Sequence, residues 1–315
     1  VEVSRKTMCD WMARAAELYS PIFAAMKKKV LRSGVIQSDD TTVPVQDKMR
    51  PGKTKTGRLW TYLGDRHHPY TLFDYTPDRS RDGPQRWLEG FEGYLQADAY
   101  SAYDEIYAGG KVIEVGCHAH ARRYFFDAKT TDAVRAHHVL GIYSRLYDVE
   151  RDAKRIVEES SAADKGAYLE EARLALRQER SVPLLREFHA WLEEEASRVL
   201  PKSPIGQAIG YARSNWAALE RYAQTGVLDI DNNAAERAMK VVVLGRKNWL
   251  FAGSDQGGRT AATIFSLTVT CKRLGIDPFA YLRDVLDRVR THPAHRMEEL
   301  LPDRWAAAQK SAANE

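Results

Sequence analysis

Cysteine is scarce: Cys9, Cys117 and Cys271 are the only three in 315 residues, and they lie far apart. Such spacing excludes a disulfide framework and suits a reducing cytoplasm. No stretch approaches the roughly 18 apolar residues that a membrane helix needs, and no segment resembles a signal peptide. A membrane partner is therefore not expected. Internal repeats and low-complexity tracts are absent as well, which sets aside solenoids and compositionally disordered arms. No methionine opens the chain, which starts Val1-Glu2-Val3, so an N-terminal truncation is expected.

A strong overall charge is also missing, since the net is only +4 with 29% charged residues. The distribution is uneven, however. Residues 48–68 hold six Lys/Arg (Lys48, Arg50, Lys53, Lys55, Arg58, Arg66) against the single acid Asp65. Residues 237–259 hold five (Arg237, Lys240, Arg246, Lys247, Arg259) against Asp255. Residues 148–200 run the other way, with 13 acids and 9 bases. Local basic segments in a nearly neutral chain fit a phosphate-backbone partner, although a solvated basic loop has the same composition.

The length suffices for one large domain or two smaller ones. Residues 4–32 read as a helix, with Trp11, Ala15, Leu18, Ile22, Ala25 and Met26 at spacings of three and four and Ser4 as N-cap. Three strands follow at 35–46, Leu59–Leu63 and Tyr70–Tyr75, with a Lys/Gly-rich turn over 48–57. A short helix after Asp82-Gly83-Pro84, a strand Tyr94–Ala97, a helix over 99–108 and a strand Lys111–Val115 come next. Three strands, helix, strand, helix, strand is the order of an RNase H-like α/β fold, a mixed five-stranded sheet flanked by helices. Residues 118–225 lack strand signals and read as a long all-helical insertion, broken near Pro183, Pro201 and Pro204. A helix from about residue 233, a buried helix over Gly257–Leu274 and a helix capped by Asp277-Pro278 return to the sheet. The polar tail from Leu301-Pro302 is expected to fray.

Three dispersed acids carry the chemistry. Asp39 lies on the first strand, Asp98 at the end of the fourth, and Glu236 near the start of the helix from residue 233. Phosphodiester cleavage and transfer need an activated oxygen nucleophile and a stabilised leaving oxygen, which two divalent cations about 3.5–4 Å apart can supply. Hard cations take carboxylate oxygens from several chain segments. Each acid also has a plainer reading. Asp98 fits a helix cap, and Asn233-Ala234-Ala235-Glu236 fits a capping box. Asp39 and Asp40 point to opposite faces of a strand, and periodicity does not settle which faces a site.

In combination the motifs resemble the insertion sequence sixty-six family of bacterial Asp-Asp-Glu transposases. The resemblance rests on Ser38-Asp39-Asp40-Thr41, Gln96-Ala97-Asp98-Ala99-Tyr100, Gly116-Cys117-His118-Ala119-His120-Ala121-Arg122-Arg123, Asp231-Asn232-Asn233-Ala234-Ala235-Glu236-Arg237 and the block Gly245–Gly253. Asp277-Pro278-Phe279-Ala280-Tyr281-Leu282 and Leu300-Leu301-Pro302 look like the family's C-terminal signature. The resemblance implies an RNase H-like catalytic core in which Asp39, Asp98 and Glu236 bind two Mg²⁺ ions, with Mn²⁺ as a substitute. Asp40 stands where the family usually has Glu. It also implies a division into a helical DNA-binding or linker remnant (1–34), a first core part (35–128), the helical insertion (129–225), a second core part (226–290) and a tail (291–315).

The resemblance further implies DNA partners, both transposon ends and target. A homo-oligomer on DNA and accessory proteins of the same element are expected with them. Arg122, Arg123, Arg237, Arg246 and Lys247 are the candidate phosphate contacts, and Trp249 a candidate for stacking on a distorted base. Trp249 reads equally as a core residue. Cys117 and His120 form half a zinc site, with His118 as a possible third ligand, but no second ligand pair lies nearby. A second reading makes Cys117 and His120, with Asn232 and Asn233, structural or substrate-positioning residues, and a third makes the block a buried cysteine with hydrogen-bonded histidines. Two alternative functions fit the same residues: a catalytically silent DNA-binding regulator of transposase descent, and another RNase H-like nuclease. The expected location is the bacterial cytoplasm, on the nucleoid when bound.

Overall fold

Alternating β-branched and aromatic residues drive the first third of the chain into a meander. In the computed structural model, which describes residues 2–313, the elements are α1 (Arg5–Val30), β1 (Val35–Gln46), β2 (Thr54–Leu63), β3 (Thr71–Thr76), α2 (Asp82–Trp87), β4 (Gly93–Gln96), α3 (Asp104–Ala108) and β5 (Val112–Val115). There follow α4 (His118–Asp127), α5 (Ala133–Glu159), α6 (Lys165–Leu176), α7 (Val182–Ala196), α8 (Pro204–Ser214) and α9 (Trp216–Glu220). The chain closes with α10 (Asn233–Gly245), α11 (Asp255–Arg273), α12 (Pro278–Arg288) and α13 (Pro302–Ala313). The strands form one five-stranded sheet in the order β3-β2-β1-β4-β5. This is the RNase H-like arrangement, with the helical insertion between β5 and α10. No helix among the described residues is long and apolar enough to cross a membrane.

The chain divides into two compact units. One, the sheet unit, holds the chain up to Gly93, Ser101–Val112 and everything from Ala234 onward. The other, the helical unit, holds Tyr94–Tyr100 and Ile113–Asn233.

In the sheet unit, register fixes which side chains share a face. Asp39 pairs with Thr61 and Thr61 with Phe73, whereas Asp40 pairs with Trp60 and Trp60 with Asp74. Cross-strand partners point the same way. Val43, Val45, Leu59, Phe73 and Tyr75 therefore make one face, and they form a core with Met239 and Val242 of α10 and Ala262 and Val269 of α11. On the opposite face Tyr62 stacks on Trp87 at 3.6 Å, and Trp60 donates to Thr76 at 2.9 Å. The outer backbone of the edge strand β3 is covered by hydroxyls of α11. Ser266 accepts from Phe73 N–H at 2.8 Å, while Thr270 accepts from Thr71 N–H and donates to its carbonyl, both at 3.0 Å. An edge that could template another strand is thereby closed.

Three details differ from the sequence reading. β2 begins at Thr54 and not Leu59, because the ladder continues to the Gln46–Thr54 pair through a stretch whose lysines and glycine suggest a turn. Pro183 does not break the chain: it sits in the first turn of α7, where no amide hydrogen is required, after a π-helical turn over Arg177–Ser181. The tail is a helix docked at its start, not a frayed end. Tyr70 donates to Asp303 at 2.8 Å, Trp305 donates to Asp284 at 2.7 Å, and Trp305 meets Tyr281 edge-on.

The helical unit packs Phe125, Tyr143, Leu146 and Phe188 into a buried aromatic and aliphatic core. Beside it runs a buried ionic network. Arg177, fully buried, donates twice to Glu150 at 2.7 Å and also to the carbonyls of Tyr222 and Thr225.

Candidate active site

The two adjacent acids of β1 fall on opposite faces of the sheet. Asp40 lies on the face away from α10, where Arg58 hydrogen-bonds its carboxylate and Arg79 approaches to 3.6 Å. Arg58 reaches it diagonally across the β1–β2 ladder, because Asp40 pairs with Trp60, two residues on. Asp39, half-buried, lies on the face against which α10 and α11 pack, and its Oδ1 accepts the Asp40 amide at 2.9 Å. Glu236 is half-buried in the first turn of α10. Asp39 and Glu236 are thus carried by elements that meet on one side of the sheet.

Asp98 belongs to the helical unit, just past β4. It is not the N-cap of α3, a position held by Tyr103. The strand end before it is braced within that unit: buried Gln96 donates to the Asp229 carbonyl at 2.7 Å, and Ala97 N–H reaches the Val115 carbonyl. Asp98 is half-buried and faces Tyr211. Burial raises the pKa of that phenol, and the charges of Cys117 and Asp98 raise it further.

The segment leading to α10 is organised by Asp231. Its carboxylate accepts from the Asn233 amide at 3.1 Å, the Asn233 side chain at 2.7 Å and the Tyr147 hydroxyl at 2.7 Å. Asn233 is already helical and its side-chain nitrogen points back to Asp231, while Asn232 before it is fully buried. The Tyr147 phenol is raised by burial and by the Asp231 charge, so it remains a donor. Tyr147 was missed in the sequence. It sits on the flank of an amphipathic helix whose inward positions are Tyr143, Leu146 and Val149, and nothing local marks it.

Cys117, buried, occupies the N-cap position of α4, and its sulfur lies within 4.8 Å of a ligating nitrogen of His120. His118 is a core residue. Its Nε2 donates to the Leu219 carbonyl at 2.9 Å, Tyr222 and Tyr143 pack edge-on around it, and burial pushes its pKa down to about 4. Neutral and enclosed, it is bound to the fold of the helical unit.

The candidate DNA contacts fall into two groups. Arg122, Arg123, Arg237 and Lys247 are exposed. Arg122 also lines an open hollow of about 470 Å³ with Arg151, Ser144, Tyr147 and Asn233. Arg246 and Trp249 are engaged internally. Arg246 donates to the carbonyl and hydroxyl of Thr42 on β1, and Trp249, half-buried, packs against the β1–α10–α11 core.

The family model described as Transposase IS66 family matches residues 1–260, and that described as IS66 C-terminal element matches residues 266–302. Three uncharacterized proteins of Sinorhizobium fredii are similar over almost the whole chain. The protein y4hP is 34% identical across 98% of this chain and 57% of its own length. For y4qI the figures are 33%, 96% and 56%, and for y4jD 31%, 98% and 61%. The chain thus spans little more than half the length of these relatives.

Proposed function

The chain belongs to the IS66 family of transposases, and from that premise we propose that it is the catalytic part of a DNA transposase. It hydrolyses a phosphodiester at an insertion-sequence end, and the freed 3′-OH then attacks target DNA, with no covalent protein–DNA intermediate. Asp39, Asp98 and Glu236 are the catalytic acids. The observation that carries this reading is the face assignment: Asp39 lies on the side of the sheet where the Glu236 helix packs, while Asp40 is held by arginines on the other side. Asp98 enters on the family motif Gln96-Ala97-Asp98-Ala99-Tyr100, just past β4.

Family membership implies a metal-dependent reaction, and three carboxylates are a hard-oxygen donor set that fits Mg²⁺, with Mn²⁺ as substitute. Two such ions, when bound, activate the attacking oxygen and stabilise the leaving one. The protein's own groups hold the ions and fix the DNA. Asp231 and Tyr147 position the first turn of α10 and so the backbone that carries Glu236. Exposed Arg122, Arg123, Arg237 and Lys247 meet phosphates. The protein acts in the bacterial cytoplasm as a dimer or larger assembly on DNA, together with accessory proteins of its element.

The test is strand transfer of a pre-nicked insertion-sequence-end oligonucleotide into plasmid DNA with Mg²⁺ or Mn²⁺. Joined product from the wild type and none from Glu236→Gln is expected. Equal product from both proteins removes Glu236 from the site. DNA binding without product in either protein favours a binding-only descendant.

A further inference from the structure

We propose that Leu250 and Phe251, at the tip of the loop joining α10 to α11, are an apolar wedge that enters an unstacked base step of DNA beside Asp39 and Glu236. The inference rests on the transposase reading and names the element that distorts the DNA.

The first observation is exposure. Leu250 is 87% exposed and its neighbour Phe251 42%. A single exposed Leu is ordinary, but two large apolar side chains exposed side by side in one loop mark a binding surface.

The second is anchorage. Ala252 pairs with β1 on both sides, donating to the Pro44 carbonyl and accepting from Gln46 N–H, each at 2.8 Å. Arg246 holds the loop's other end to Thr42, and Trp249 packs inward against the core. The tip is thus presented by a loop fastened at three points. A wedge needs that, because a slack loop would fold its apolar residues away.

Position is the third. Thr42 is three residues from Asp39 along β1, a rise of about 10 Å, or roughly three base steps of duplex. The loop also continues directly from α10, the helix that carries Glu236.

Charge selects the partner. Lys247 lies in the loop and Lys48 and Lys53 in the β1–β2 hairpin, all exposed, while the nearby Asp47 is paired with Arg50. Protein interfaces are depleted in lysine, whereas apolar wedges flanked by cations are how proteins open base steps while gripping the backbone. The same geometry reassigns the stacking role: Trp249 is the buttress, and Leu250 and Phe251 make the contact.

The experiment compares affinity for a nicked duplex carrying 2-aminopurine at a single mismatch with affinity for the same duplex fully paired. The wild type is expected to favour the mismatched duplex by about tenfold, with brightening of the 2-aminopurine. Leu250→Ser with Phe251→Ser, and Leu250→Ser alone to a lesser degree, bring that ratio towards one. Val134→Ser, which alters an 83% exposed apolar residue on α5, leaves it unchanged. A ratio unaltered in the double variant, or absent from a wild type that binds DNA, overturns the wedge and leaves the transposase reading standing. A fall in sedimentation mass in the double variant also overturns it, by showing that the tip contacts protein. Failure of the wild type to bind either duplex counts against both.

Discussion

The sheet unit and the helical unit both take carboxylates out of water, and they treat them differently. In the helical unit Glu150 is closed off, with two bonds from Arg177 at 2.7 Å and Arg173 at 3.3 Å behind them. The carboxylate's lone pairs are saturated by cations, so this site can only hold helices together. On β1 of the sheet unit, two adjacent acids are divided by the pleat. Asp40 receives the arginines, and Asp39 accepts a backbone amide on the face shared with α10. The lesson is that burial alone does not mark a catalytic acid. Which face a carboxylate occupies, and which partners it meets there, decides what it does for the fold, as Glu150 and Asp40 show against their arginines.

The sharpest way to break that contrast is to neutralise Asp39. Asp39→Asn keeps the size and the strand, and strand transfer should fall about a thousandfold, near 4 kcal/mol of transition-state stabilisation. Retained transfer would remove Asp39 from the site and void the face argument. In the helical unit the corresponding change should act on stability. Arg177→Met leaves Glu150 underpaired and two carbonyls without their donor, and should cost about 3–5 kcal/mol in urea unfolding. If Glu150→Met with Arg177→Met recovers much of that loss, the penalty belongs to the stranded charge and not to the pair.

The helical unit also carries a pH response, in His118. His118 has a folded pKa of about 4 because its ring is buried, against an unfolded value near 6.5. Between those values the unfolded chain binds a proton that the folded one refuses. Stability is therefore full above about pH 6.5, declines as pH falls to about 4, and is flat below, a change of about 3 kcal/mol. Urea midpoints across that range check it. A proton titration of the His118 ring by NMR that centres near 6.5 would show the ring to be solvated.

Local pattern made the architecture readable and the site only partly so. The meander, the Ser4 and Asp277 caps and the strand-free helical stretch after β5 are all short-range signals, and each stands in the structure. Charge did not read as simply. Of the basic residues in 48–68, Lys55 bonds Asp255, Arg58 bonds Asp40 and Arg50 bonds Asp47, all acids outside that window. The hairpin is consequently less basic than its composition. The acid-rich stretch from 148 to 200 likewise hides Glu150 and Glu195, both buried against arginines. The helical tail was misread because Asp303 and Trp305 find Tyr70, Tyr281 and Asp284 only after folding. Tyr147 was overlooked for the same reason, its partner Asp231 being 84 residues away.

The smallest expected effect tests the same strand from its other face. Asp40 and Arg58 have side chains only 6% and 16% exposed, so their pairing is shielded from solvent and salt. Asp40→Asn keeps a hydrogen-bond acceptor but leaves Arg58 a half-buried charge, a loss of about 2 kcal/mol in unfolding free energy. Strand transfer at a temperature where the variant is folded should change by less than about threefold, since a rate factor of three is only about 0.7 kcal/mol. A large loss of transfer with stability intact would mean that Asp40 reaches the reacting DNA. The division of labour between two adjacent residues of one strand would then have to be reversed.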